Sequence, residues 1–261
     1  GMGVVLRATD TFNDHLVAMK FLHAGALPDE RLVERFVREA QILATLHSEH
    51  VAKIYDVGNL PEGRPFIVME YLRGIELETL LHQNGPMDVG VTYDLWVQAA
   101  KGVAAAHQAG IVHRDLKPSN MFVLDVGGRR QLKLLDFGVA KLHVFEGNPA
   151  LTLAEDLVGT FHYMSPEQVL GSSTVDACSD VWSLGVVAYR MLTGGLPFDG
   201  PGPMQVCARI MQNDAAPVRE VRPEVPEELA RLVMTCLQRE PSQRFADATA
   251  LLQALMAIEK R

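Results

Sequence analysis

Up to about residue 68 the chain carries short apolar stretches, and beyond Met87 it carries long helical ones. Val4-Val5-Leu6, Leu16-Val17-Ala18-Met19 and Phe66-Ile67-Val68-Met69 have the branched, apolar content of strands. Between them Pro28-Asp29 opens a helix on which Leu32, Phe36, Ala40, Leu43 and Leu46 recur at helical spacing. Farther on, helical patterns run over Tyr93–His107, Val181–Leu192, Met204–Met211, Glu227–Cys236 and Ala246–Ile258. The pattern predicts an α+β protein, strand-rich first and mainly helical afterwards. No repeat or low-complexity tract interrupts it.

Composition narrows the partners. The 261 residues carry 48% hydrophobic and 21% charged side chains, ordinary for a soluble globular protein, and suffice for a full core. The net charge of −8, without any lysine/arginine-rich run, argues against nucleic acid or an anionic membrane as partner. Cys178, Cys207 and Cys236 lie far apart, odd in number and without metal-ligand spacing, which favours reduced thiols and a cytoplasmic setting. No apolar run has bilayer-spanning length, so no membrane contact is expected of this segment. The parent could still be a larger membrane protein of which this is the cytoplasmic domain.

The chemistry concentrates in His113-Arg114-Asp115-Leu116-Lys117-Pro118-Ser119-Asn120. Asp115 can accept a proton from an incoming hydroxyl, Lys117 can neutralise a phosphoryl group in flight, and Asn120 can hold a divalent metal. Asp136 follows the apolar run Leu132, Leu134, Leu135, and an aspartate ending a buried strand is costly unless something such as Mg²⁺ binds it. Glu39 shares a helix face with Phe36, Ala40 and Leu43, so it points inward, and an ion pair with Lys20 would satisfy it.

This loop resembles the catalytic loop of eukaryotic-type (Hanks-type) protein kinases, H-R-D-L-x-x-x-N, with Lys117 in the form typical of serine/threonine members. Asp136-Phe137-Gly138, Val17-Ala18-Met19-Lys20, Ser165-Pro166-Glu167 (Ser for the usual Ala), Asp180-Val181-Trp182-Ser183-Leu184-Gly185 and Arg244 extend the resemblance over essentially the whole chain. Gly1-Met2-Gly3-Val4-Val5 resembles the closing half of a glycine-rich phosphate loop, so the chain reads as an N-terminally truncated fragment whose first strand is missing. The style of the motifs looks bacterial.

The resemblance implies a two-lobed kinase fold: a small β-rich lobe over 1–69, a hinge at 70–74 and a larger helical lobe over 75–261. It implies ATP and Mg²⁺, with Mn²⁺ as an alternative, and protein substrates bearing Ser or Thr acceptors. Asp115, Lys117 and Asn120 would be catalytic, and Asn120 with Asp136 would hold the metal. Gly1, Gly3 and Lys20, the last oriented by Glu39, would meet the phosphates. Val5, Ala18, Met69, Leu72, Phe122 and Leu135 would enclose adenine, with the backbones of Glu70 and Leu72 on its edge.

His113 and Phe137 belong in the family to an active-state stack, with Leu43 as its helix member and Asp180 as its anchor; Glu167 and Arg244 would tie down the activation segment. Arg114 would pair with a phosphorylated loop residue, and between Lys141 and Gly159 only Thr152 can take phosphate. Ala154 stands where related bacterial kinases carry a second threonine, and Glu155 and Asp156 could supply part of the charge. Thr160 would bond Asp115 and Lys117 and help select Ser/Thr acceptors. Autophosphorylation and dimerisation are natural accompaniments.

Two other readings compete. A pseudokinase scaffold is countered by the presence of Lys20, Glu39, Asp115, Asn120 and Asp136. A small-molecule phosphotransferase is countered by Ser165-Pro166-Glu167, Thr160 and Asp180-Val181-Trp182, which support a peptide-binding segment.

Overall fold

The computed structural model describes residues 3–22, 30–61, 63–137, 159–171 and 175–259; of a few of these, Glu39 among them, only the backbone is described. Gly1, Gly138 and Thr152 lie outside them.

The first lobe is a four-stranded antiparallel sheet of β1 (Gly3–Asp10), β2 (His15–Leu22), β3 (Ile54–Asn59) and β4 (Pro65–Glu70), in the order β1-β2-β4-β3. Helix α1 (Glu30–Ala44) packs on it through a small apolar cluster of Phe36, Ala40 and Ile67. Register decides what that face carries, because residues directly opposite in an antiparallel pair share a face. Val5 pairs with Lys20, Lys20 with Ile67, and Ala18 with Met69. Val5, Ala18, Lys20 and Met69 therefore stand on the face that α1 partly covers.

The second lobe opens with a three-stranded sheet that periodicity had not announced: β5 (Gly74–Glu76), β6 (Met121–Val126) and β7 (Arg129–Leu134). Its β6–β7 hairpin turns on Gly127 and Gly128 with φ of 62° and 81°, the left-handed pair that a tight hairpin needs. Gly74 is fixed by close approach, since a Cβ there would meet the Val123 carbonyl oxygen at 2.5 Å.

The helical body comprises α2 (Leu77–Asn84), α3 (Val89–Gln108), the short α4 (Pro166–Val169), α5 (Ala177–Thr193), α6 (Pro203–Gln212), the short α7 (Val218–Val221), α8 (Glu227–Cys236) and α9 (Ala248–Glu259). Caps, rather than the apolar stripe, set the observed ends. Asp88 accepts from the amides of Gly90 (2.8 Å) and Val91 (3.1 Å), starting α3 before Tyr93. Asp176 accepts from the Cys178 amide at 2.9 Å, and Gly194 at φ 77° ends α5. Helix α5 is buried on nearly all sides, with Trp182 stacked on Phe198 at 5.4 Å, so it forms the axis of this lobe's core.

Besides the chain at Glu70–Gly74, a short parallel bridge joins the two sheets. The Ala52 amide donates to the Leu134 carbonyl (2.9 Å), and the Leu134 amide donates to the His50 carbonyl (2.8 Å). Among the described residues no helix is long and apolar enough to cross a membrane.

Candidate active site

The candidate residues lie on the loop between α3 and β6, and hydrogen bonds to buried groups fix its backbone. Asp180, at the start of α5 and 1% exposed, accepts from the amides of His113 (2.7 Å) and Arg114 (2.8 Å). Its Oδ2 also receives His107 Nε2 at 2.9 Å, whose ring in turn accepts from the Ala248 amide at 3.2 Å. Two carboxylate oxygens thus align two successive amides, and the turn between them drives Arg114 to φ 63°.

The His113 ring donates from Nε2 to the Leu135 carbonyl (3.0 Å) and accepts at Nδ1 from the Asp115 amide (3.3 Å), which fixes one neutral tautomer. Burial holds its imidazole below the ordinary value, although Asp180 and Asp115 pull the other way. The ring lies 4.3 Å from that of Phe137, and Leu43 belongs to the same apolar cluster.

The candidate side chains meet around Asp115, which is 8% exposed. Asn120 Nδ2 donates to the Asp115 carbonyl (2.8 Å) and to its Oδ2 (2.9 Å). Both amide hydrogens are thereby used, which leaves Asn120 Oδ1 as an oxygen donor of the kind a hard cation takes. Lys117 Nζ lies 3.6 Å from Asp115 Oδ2 and donates to Thr160 Oγ1 at 3.0 Å.

Across the cleft Lys20 Nζ meets Asp136 Oδ1 at 2.6 Å. That contact turns the Val5–Lys20–Ala18–Met69 face of the first sheet toward the second lobe. Asp136 is 42% exposed on its side chain and sits at φ 49°, a left-handed conformation that aspartate tolerates better than most residues. An exposed carboxylate and the free Asn120 oxygen suit a divalent cation that takes its remaining ligands from phosphate and water. Among the described residues no cluster of three or more His, Cys, Asp or Glu could hold a metal unaided.

Ala18, Met69, Leu72, Phe122 and Leu135 are partly buried and Val5 is exposed, so none of the six belongs to the sealed core. The Glu70 amide donates to the Lys53 carbonyl (2.8 Å), and its carboxylate holds Lys133 Nζ at 2.7 Å.

Glu167 and Arg244 form a two-pronged pair, Nη1 to Oε1 at 2.8 Å and Nη2 to Oε2 at 3.0 Å. Burial would raise the Glu167 carboxyl, but hydrogen bonds from Arg244 and Ser179 and the Arg244 charge outweigh it and hold it below the ordinary range.

Several participants carry no motif signature. Gln168, through a Ser165–Gln168 capping box, turns its Nε2 to the Arg114 carbonyl at 2.9 Å. The S-x-x-Q spacing was the available signal for it. His107 and the Glu78–Arg190 pair (2.7 Å) had none, since their partners lie 73 and 112 residues away.

A small sheet and a helical body facing one another, with a lysine on one side and a carboxylate–lysine–carboxamide set on the other, have the build of a phosphotransferase. Comparison with known proteins makes this specific. The family model described as protein kinase domain matches residues 1–256. A serine/threonine-protein kinase of Myxococcus xanthus, pkn3, is 36% identical over 264 residues, covering 100% of this chain and 48% of the relative. A probable serine/threonine-protein kinase of Clostridium acetobutylicum is 35% identical over 260 residues (99% and 38%), and PknB of Mycolicibacterium smegmatis is 35% identical over 263 (100% and 41%). The chain belongs to the protein kinase family. It spans less than half the length of these relatives. The crystal structure of the Mycobacterium tuberculosis PknI kinase domain has the same fold, with a TM-score of 0.74 at 23% identity, covering 98% of this chain and 91% of that one.

Proposed function

We propose that this chain transfers the γ-phosphoryl group of ATP to serine and threonine hydroxyls of proteins, in the cytoplasm, with its hinge at residues 70–74. The observation that carries this reading is the convergence on Asp115 of Asn120 Nδ2 (2.9 Å) and Lys117 Nζ (3.6 Å), with Lys117 bonded to Thr160. Asp115 accepts the hydroxyl proton as the oxygen attacks. Lys117 neutralises charge on the transferred group and, with Thr160, positions the acceptor. Lys20 holds the nucleotide phosphates, released from Asp136 and oriented by Glu39; Gly1 and Gly3 lend backbone amides to them. Val5, Ala18, Met69, Leu72, Phe122 and Leu135 enclose the adenine. Asn120 Oδ1 and Asp136 hold Mg²⁺, or Mn²⁺ in its place, and the bound ion supplies charge neutralisation on the phosphates.

The test is transfer of radiolabel from γ-labelled ATP to a generic protein substrate. Label is expected to appear, and to vanish when Mg²⁺ and Mn²⁺ are chelated. Incorporation no greater than in an Asp115→Asn control leaves a binding or scaffold module as the better description.

Regulation belongs to the same reading. Arg114 Nε is buried and lacks a hydrogen-bond partner among the described residues, while the Arg114 backbone is fixed at both ends by Asp180 and Gln168. Such a donor suits a phosphorylated residue of the activation segment, and Thr152 is the acceptor there. After incubation with ATP, mass spectrometry is expected to find Thr152 phosphorylated; an unmodified residue alongside labelled substrate removes it as the site.

A further inference from the structure

Arg114 stands directly before Asp115, at φ 63°, a left-handed conformation uncommon outside glycine, asparagine and aspartate. Three contacts hold it there. Its amide donates to Asp180 Oδ1 at 2.8 Å, and its carbonyl accepts from Gln168 Nε2 at 2.9 Å. That carbonyl shares a peptide group with the Asp115 amide, which donates to His113 Nδ1 at 3.3 Å. Gln168 lies on α4, directly after Ser165-Pro166-Glu167, so it reaches the loop from a different element.

One carboxamide serves both places. Gln168 Oε1 accepts from the Ser165 amide (3.1 Å) and from the Ser165 hydroxyl (3.3 Å), and the Gln168 amide donates back to Ser165 Oγ (3.3 Å). Its orientation is dictated, because the Ser165 amide can only donate and the Arg114 carbonyl can only accept. The capping box asks for nothing more than an acceptor, which a glutamate supplies equally well. The Arg114 carbonyl asks for a donor, which the glutamate lacks. The nitrogen of Gln168 is therefore spent on the loop and not on its own helix.

Resting on the phosphotransfer reading above, we infer that Gln168 is a positioning residue for the transfer step. Through the Arg114 carbonyl it fixes the peptide that leads into Asp115, and so aims the carboxylate. The aim also depends on the segment that ends at α4, since the fully buried Ser165 orients the carboxamide. Without Nε2 the Arg114–Asp115 peptide keeps, among the described contacts, only the longer bond to His113. The left-handed Arg114 can then relax, and Asp115 moves with it.

The experiment uses Gln168→Glu, which keeps the size and the capping acceptor but sets an oxygen against the Arg114 carbonyl. It should lower kcat by about tenfold, short of the hundredfold that a misplacement of about 1 Å can cost. KM for ATP should hold, because the residues assigned to the nucleotide lie elsewhere. The thermal midpoint should stay within roughly 2 °C of wild type. The decisive measurement repeats the substitution in Asp115→Asn. A residue that acts by aiming Asp115 has nothing left to aim there, so residual transfer should fall by less than about twofold more. A residue that only supports the fold costs the same factor in both backgrounds. An equal factor, or an unchanged kcat in the single variant, overturns the assignment and leaves the kinase reading intact. Absence of transfer by the wild type overturns that reading and this one with it. Full activity in Asp115→Asn removes the base and with it the role of Gln168. Should Gln168→Glu fail to fold, Gln168→Met, which drops the donor without adding charge, enters the same cycle under the same criteria.

Discussion

Asp115→Asn is expected to lower phosphoryl transfer by about a hundredfold or more, the range of a lost general base. Its thermal unfolding midpoint should stay within roughly 2 °C of wild type. The two expectations follow from one geometry. An asparagine carbonyl can still accept from Asn120 Nδ2, as Asp115 Oδ2 does at 2.9 Å, so the loop keeps its scaffold. What disappears is the negative charge that attracts Lys117 at 3.6 Å and to which we assign the hydroxyl proton. Nucleotide affinity should hardly change, because the ligands assigned to ATP are Lys20, Asp136 and the adenine-facing residues. Asp136→Asn is the informative contrast: it should weaken both transfer and nucleotide binding, since it alters the assigned metal ligand and the Lys20 partner. Steady-state kinetics, nucleotide binding and thermal melts on the two variants check this. Transfer by Asp115→Asn within about threefold of wild type would show that another group is the base.

What could be read from the chain and what could not divides along the range of the interactions. Helix α8 is read to the residue, Glu227–Cys236, because its amphipathic stripe and its ends coincide. The apolar stripe of helix α3 begins only at Tyr93, four residues inside the helix, because the start depends on the Asp88 cap, which lies outside the stripe. The β6–β7 hairpin has no clear strand pattern although Gly127-Gly128 is a turn signal, because its strands are brief and half polar. For the site, the residue types within His113–Asn120 point to phosphoryl chemistry by themselves. The groups that hold them in place, His107, Gln168 and Asp180, come from three other elements, and only Asp180 sits in a motif. Side-chain pairing across long sequence separation leaves no periodic trace, so Glu78–Arg190 emerges only from the fold.

Arg244→Ala is expected to cost about 3–5 kcal/mol of stability, the range for a buried ion pair deprived of one partner. The Arg244 side chain is fully buried, and its five donors are all used: Nε on the Gln238 carbonyl, Nη1 on Glu167 and Cys178, and Nη2 on Glu167 and Arg239. Its plane also lies 5.0 Å over the Trp182 ring. Arg244→Lys should rescue little, because three donors on a point charge cannot reproduce a planar five-donor fork. Acid provides an independent check on the mechanism. Glu167 is held below its ordinary value of 4.5 in the folded protein, so its contribution is present in full above that value and is lost as pH falls through the lower folded value. In the alanine variant burial acts on Glu167 unopposed by Arg244, which favours the protonated acid. The stability gap between wild type and Arg244→Ala should therefore be widest near neutral pH and narrow below about pH 4.5. Denaturant unfolding at pH 7 and at pH 4 measures it; an equal gap at both would assign the arginine's contribution to its carbonyl contacts and Trp182 instead of to Glu167.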